Sequence, residues 1–303
     1  MADNGDFRRT RTLSRWKYTH FYERMEDFLD TPLNSGLNTI SLNGRLLDFV
    51  IRDRGAKLLL VTFHGALSPR QKTVPYIQGE GIAKASGVNL LAFSDPSLEL
   101  GAITCAWFLG DRELGVLTRR FRPIIQHVAE ETGAEKVLFF GGSGGGYAAV
   151  NFASSYEGSA AIAMNPRLNL NAGPPSKLRP YLEVCHDART VTPIRRVKRE
   201  FFQPNLADNF RQETGPDLLI LQNRNDARYL NRQTNPFIRE LSSYPHGYVQ
   251  LFDGAPGHSP ASKEFLTPLI RRLATDCSAG SYRESGFQDF AEYCERVFNA
   301  SNK

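Results

Sequence analysis

The sequence predicts an α/β protein: a mostly parallel central sheet with an antiparallel start, helices on both faces and one small cap insertion. Three observations predict it. Two strand-like stretches flank the dipeptide Asn43-Gly44, a two-residue hairpin signal. Short apolar runs then alternate with helical patterns, the order that builds parallel β-α-β units. The length of 303 residues exceeds one average domain and falls short of two, which fits one large domain with insertions.

Taken in order, residues 1–35 read as an N-terminal arm with some helix over 21–29. Strands are predicted at 38–42 and 46–51, on either side of the hairpin dipeptide. The next strand, 57–63, is apolar without interruption, as a strand covered on both faces must be. Strand 88–93 follows, then a helical pattern over 113–132 that ends at Gly133. A short strand at 136–140 leads through glycines into a helix over 144–155, and 159–164 reads as a further strand. The segment 166–212 breaks the alternation. Its prolines at 166, 174, 175, 180, 193 and 204 favour loops and short helices. Strand 217–222, helix 235–241, strand 248–252 and helix 260–275 restore the pattern, and one more helix is expected over 284–298. The main domain is thus 36–276, with 166–212 as a cap insertion and 277–303 as a helical tail.

Composition narrows the class. Hydrophobic residues make up 41% and charged residues 23%, ordinary for a globular chain. No apolar run reaches the length that spans a bilayer, and the first residues lack the apolar stretch of a secretory leader. Cys105, Cys185, Cys277 and Cys294 are far apart, which suggests reduced thiols and a cytoplasmic protein, not a zinc site or disulfide framework. The formal charge is +5, and 166–212 holds nine basic residues against four acidic ones, which accounts for the whole excess. A solvated charged face explains this; so does an anion-attracting rim over a site. Nucleic acid is not expected as a partner, because the basic segment has few aromatics to stack bases and no recognised binding motif.

The chemistry concentrates at Gly141-Gly142-Ser143-Gly144-Gly145, a G-x-S-x-G pattern between an apolar strand and a helix. A serine in such a tight turn takes a strained backbone, and glycines two before and two after relieve the crowding. The helix N-terminus then favours developing negative charge. A phosphate-binding loop would need Gly-Lys-Ser/Thr, and Gly145-Gly146-Tyr147 stands there instead. A dinucleotide fingerprint would meet Tyr147 at its third glycine. Two further residues fall just past later strands: Asp226, after 217–222, and His258, after 248–252. The order Ser, Asp, His matches one of the known triad orders. Asp253, five residues before His258, competes with Asp226 for the acid.

On these segments, together with Phe63-His64-Gly65-Ala66, the chain from about residue 36 to 276 resembles the α/β-hydrolase-fold superfamily of serine esterases and acyltransferases. The resemblance implies Ser143 as nucleophile, His258 as base and Asp226 as the residue that orients the imidazole. It also implies an oxyanion hole from the backbone N–H groups of Gly144 and Ala66, supported by Gly141, Gly145, His64 and Gly65. Asp95, after another strand, is either a turn residue or a substrate contact. Arg195, Arg196, Lys198 and Arg199 are candidates for binding an anionic substrate. The remaining histidines have no motif partner, and no metal-ligand spacing such as H-E-x-x-H occurs, so neither metal nor cofactor is expected. The expected activity is hydrolysis of a carboxylic ester or thioester through an acyl-serine, on a small-molecule or glycan substrate. An O-acyltransferase using the same triad is the enzymatic alternative, and a catalytically silent binding protein of the same fold is the other.

Overall fold

The computed structural model describes residues 8–173 and 175–299. The first seven residues of the arm, Pro174 in the cap and residues 300–303 of the tail lie outside them. The central sheet has strands β1 (Thr19–Tyr22), β2 (Gly36–Leu42), β3 (Arg45–Arg52), β4 (Leu58–Phe63), β5 (Asn89–Phe93), β6 (Lys136–Gly142), β7 (Ala160–Met164), β8 (Asp217–Asn223), β9 (Gly247–Phe252) and β10 (Gln288–Asp289). Their lateral order is β10-β9-β8-β7-β6-β4-β5-β3-β2-β1. Strands β4 to β9 run parallel to their neighbours within that block. Strand β3 is antiparallel to both β2 and β5. The β2–β3 turn has positive φ at Asn43 (52°) and Gly44 (72°), as the tight hairpin geometry requires.

The uninterrupted apolar runs serve two cores at once. Successive side chains of a strand point to opposite faces. Leu59, Val61 and Phe63 of β4 therefore join one cluster, while Leu58 and Leu60 join the other. Strand β8 divides in the same way, Leu218 and Ile220 against Leu219 and Leu221. Helices α1 (Met25–Leu29), α2 (Glu80–Ser86), α3 (Leu117–Glu131), α4 (Gly144–Ala153), α5 (Pro175–His186), α6 (Val191–Glu200) and α7 (Lys263–Thr275) complete the layers used below. Helix α3 buries Leu117, Phe121, Ile124, Ile125 and Val128, the stripe of an amphipathic helix, against the first cluster. Helix α4 covers the same face through Tyr147, Val150 and Phe152. Ile82 and Ala83 of α2 and Leu266, Leu269, Ile270 and Leu273 of α7 close the second. Each large side chain so buried contributes about 1.5–3 kcal/mol.

Two boundaries differ from expectation. The arm is sewn into the domain: β1 pairs with the free edge of β2, and Arg11 meets Asp48 at 2.6 Å. An edge strand leaves unpaired backbone groups that a neighbouring extended segment satisfies. The tail is not one helix. Gly286, at φ 93°, turns the chain after the helix Ala279–Glu284, and β10 then adds to β9 before the chain coils again at Phe290–Cys294. Helix α2 went unanticipated; it is short and bounded by Gly79 and Gly87, both at positive φ.

Candidate active site

Ser143 stands at the carboxyl end of β6, next to the central strand β4. Its backbone has φ 55° and ψ −112°, a combination that costs a non-glycine residue about 1–3 kcal/mol. The turn is held from both sides. Ser143 N–H donates to the Met164 carbonyl at 2.9 Å, and its own carbonyl accepts from Arg167 N–H at 3.0 Å. The flanking glycines are sterically required. A Cβ on Gly141 would run into the Gly145 carbonyl, and one on Gly145 into the Phe63 carbonyl at the end of β4. A Cβ on Gly144 would lie 2.6 Å from Cys105 Sγ. Burial pushes that thiol up to about 12, so Cys105 stays protonated.

Asp226 and His258 reach the same end of the sheet from β8 and β9. Asp226 Oδ2 accepts from His258 Nδ1 at 2.6 Å. The carboxylate is buried, and the imidazole is 36% exposed. With Nδ1 donating, Nε2 keeps its lone pair, and His258 lines the same cavity as Ser143. That cavity, of about 330 Å³, is also walled by Gly65, Ala66, Met164, Asn165 and Pro260. Asp226 additionally caps the following turn by accepting Tyr229 N–H at 3.2 Å. Asp253 is not the partner of His258. It is 74% exposed and pairs with Arg224 at 3.0 Å.

The loop after β4 supplies the other half of the cavity. A Cβ built on Gly65 would come within 3.8 Å of Ser143 Cβ. His64 is buried beneath it. Its Nδ1 is 2.8 Å from the Gly65 carbonyl, and its Nε2 accepts Asp95 N–H at 3.2 Å. Only the neutral ring protonated at Nδ1 satisfies both contacts, and burial lowers the His64 pKa to about 4. His64 therefore shapes this loop, with both of its ring nitrogens already engaged. The backbone N–H groups of Gly144 and Ala66 have no acceptor among the described residues, as donors awaiting a ligand oxygen would be.

Asp95 is not available to a substrate. It is buried and accepts Phe108 N–H at 2.8 Å and Ser97 N–H at 3.1 Å. Burial raises its pKa to about 6. The basic residues of α6 also fall elsewhere. Arg195 and Arg196 are exposed, Lys198 donates to Asn171 at 2.8 Å, and Arg199 meets Glu200 at 3.3 Å. None of the four lines the Ser143 cavity. Helical spacing presents them together, but Arg195, Arg196 and Arg199 face solvent and half-buried Lys198 lines a separate cavity beside Asn171. Among the described residues no group of three His, Cys, Asp or Glu side chains could hold a metal ion, and no helix is long and apolar enough to cross a membrane.

Three residues that sequence reasoning passed over organise the site. Tyr229 stacks on His258 with ring centres 3.9 Å apart. Asn223 clamps the histidine loop: its Nδ2 donates to the carbonyls of Ala255 (2.8 Å) and Gly257 (3.0 Å), and its Oδ1 accepts Gly254 N–H at 3.0 Å. Asn165, at φ 42°, ties β7 to β8 by accepting Asn223 N–H at 2.7 Å, and donates to the Ser259 carbonyl at 2.8 Å. The trace in the sequence is that each asparagine directly follows a stretch expected to be a strand, 159–164 or 217–222.

No family model matches the chain, and no curated protein matches it in sequence. Solved structures do match in shape. A capsule O-acetyltransferase of Neisseria meningitidis serogroup A is 18% identical and superposes at a TM-score of 0.60, over 81% of this chain and 98% of that one. A puromycin hydrolase is 17% identical at a TM-score of 0.54, over 82% of this chain and 39% of that one. FphF, a fluorophosphonate-binding serine hydrolase of Staphylococcus aureus, is 16% identical at a TM-score of 0.50, over 76% of this chain and 91% of that one. The chain has the α/β-hydrolase fold.

Proposed function

We propose that this protein is a serine acyl enzyme that cleaves a carboxylic ester or thioester through an acyl-Ser143 intermediate. The observation that carries the reading is one cavity shared by a serine on a strained turn and an imidazole whose far nitrogen Asp226 holds at 2.6 Å, with unspent backbone donors on Ala66 in its wall and on Gly144 next to the serine. Ser143 Oγ attacks the acyl carbonyl while His258 Nε2 takes its proton. The carbonyl oxygen becomes an oxyanion, to which Gly144 and Ala66 N–H donate; one such donor is worth about 3–4 kcal/mol in the transition state. Collapse expels the alcohol or thiol, which takes the proton from His258. A second acceptor then attacks the acyl-serine and releases Ser143. Asp226 keeps the imidazole in the useful tautomer and stabilises its cation. Free cysteines on the described chain support a reducing, cytoplasmic setting.

The second acceptor distinguishes two activities. Water gives a hydrolase; a glycan hydroxyl gives an O-acyltransferase. Likeness over almost the full length of a capsule O-acetyltransferase favours keeping the second. A fluorophosphonate probe should label Ser143 and no other serine, and an unlabelled Ser143 in folded protein points to a silent binding protein. Products from p-nitrophenyl acetate, with and without oligosaccharide, then separate the two activities: free acetate throughout means hydrolase, and acetylated sugar means transferase.

A further inference from the structure

Arg167 follows the strand end that holds Ser143, and its backbone N–H bonds the Ser143 carbonyl. Its side chain is 7% exposed, yet Nε and Nη2 have no hydrogen-bond partner among the described residues. Those two atoms form the side edge of the guanidinium, the fork that grips two oxygens of one anion. The group lies over the Trp107 ring, 5.8 Å from its centre, which stabilises the charge without using the N–H donors. A buried unpaired guanidinium is costly unless an anion completes it.

Arg167 lines a cavity of about 130 Å³ together with Lys177, Arg228, Arg232, Tyr229, Gln233, Ala172 and Gly173. Four of these residues are cationic and none is acidic. A Cβ at Gly173 would meet Nη2 of Arg167 first, so glycine there leaves the guanidinium room at the cavity wall. Gln233 is already spent: its Oε1 accepts the N–H groups of Leu168 (2.9 Å) and Asn169 (2.8 Å). Lys177, Arg228 and Arg232 are exposed and make no ion pair with a described carboxylate. Tyr229 joins this cavity to the candidate active site, since the same ring stacks on His258.

We propose that this cavity is an anion subsite of the Ser143 site, taking a phosphate-class group carried by the acyl donor or the acyl acceptor. The proposal rests on the acyl-enzyme reading and names its substrate class. Whole small-molecule pockets run to about 300–1,000 Å³, so 130 Å³ fits one charged group of a larger ligand. A tetrahedral dianion offers oxygens to the Arg167 fork and to the exposed cations together. The excess charge of 166–212 acts here through Arg167 and Lys177, joined by Arg228 and Arg232 from beyond that segment, and not through α6.

Titration with inorganic phosphate, followed by calorimetry, tests the subsite. The parent should bind one phosphate, and Arg228→Gln with Arg232→Gln should weaken it at least tenfold while melting like the parent. Arg167→Gln should abolish it; should that variant misfold, the surface pair alone decides. Ser143→Ala should bind phosphate as the parent does, which separates the subsite from the catalytic reading: a parent that binds phosphate but is not labelled by the fluorophosphonate would refute only the latter. Two comparisons locate the source. If the donor carries the group, the Arg228/Arg232 pair variant raises KM for acetyl-coenzyme A, a phosphorylated thioester, at least tenfold more than for neutral p-nitrophenyl acetate. If the acceptor carries it, glucose 6-phosphate speeds p-nitrophenyl acetate turnover more than glucose does, and the pair variant loses that difference. Phosphate binding that is absent from the parent, or unmoved by the pair variant, overturns the proposal.

Discussion

Nδ1 of His258 lies 2.6 Å from Oδ2 of Asp226, across the gap between two parallel strands whose ends bring His258 to the Ser143 cavity and Asp226 to the buried side of its ring. A buried carboxylate against a partly open imidazole is what the base of an acyl enzyme needs. One nitrogen is held by the carboxylate, which leaves the other for the proton transfer proposed above.

Asp226→Asn should lower kcat on an activated ester by about 10⁴-fold, because an amide does not enforce the same tautomer. Asp253→Asn should stay near the parent, since its exposed pair with Arg224 is worth about 0–1 kcal/mol. Steady-state rates of the two variants side by side check this; a loss in Asp253→Asn with Asp226→Asn near the parent would move the acid to Asp253.

Ser143→Ala should cost about 10⁶-fold in kcat. Ser143→Gly should be equally inactive, yet more stable than Ser143→Ala by about 1 kcal/mol, because glycine tolerates φ 55° where alanine is strained. Paired denaturation curves measure the difference, and alanine equal to or above glycine would contradict the strained turn.

Gly145→Ala should destabilise the fold by about 3 kcal/mol. The residue is helical, so the backbone accepts alanine, but the methyl group meets the Phe63 carbonyl and forces α4 away from β4. Gly158→Ala is no control, because its φ is 71°; Gly280→Ala is one, since it would meet only the Ser278 hydroxyl, at 3.7 Å. Thermal melting should separate the two widely.

The buried pair His64 and Asp95 sets a pH signature. Asp95 is raised to about 6 when folded, so it binds its proton more tightly folded than unfolded. Its contribution is present below the ordinary carboxylate range and is lost as pH rises through 6. His64, lowered to about 4, works in the opposite sense: folding gains as pH rises from 4 to 6.5. The two nearly cancel in the parent. Asp95→Asn removes one side, so relative to the parent it should lose stability as pH falls from 6 to 4, by about 3 kcal/mol. Urea unfolding at pH 4, 5 and 6 reads the slope difference, and parallel curves would reject this account.

Local pattern carried the fold far. Apolar runs with covered faces, the Asn43-Gly44 turn and the glycines around Ser143 are short-range facts, each constrained by neighbours within a few residues, and a mostly parallel sheet with an antiparallel start followed from their alternation. Past strand ends, Ser143, Asp226 and His258 could be nominated in the same way. Distance in space was another matter. Asp226 and Asp253 looked alike along the chain, and the hydrogen bond to His258, with exposure of the rival, distinguished them. Asp95 sat where a substrate contact could sit until the fold buried it. The basic run of α6 advertised an anion site by density of charge, whereas the buried guanidinium with partnerless nitrogens is Arg167, beside Arg228 and Arg232 from another segment. Burial and partnering depend on which segments pack together. A linear pattern reports what residues can do, and packing determines which of them water and ligands can reach.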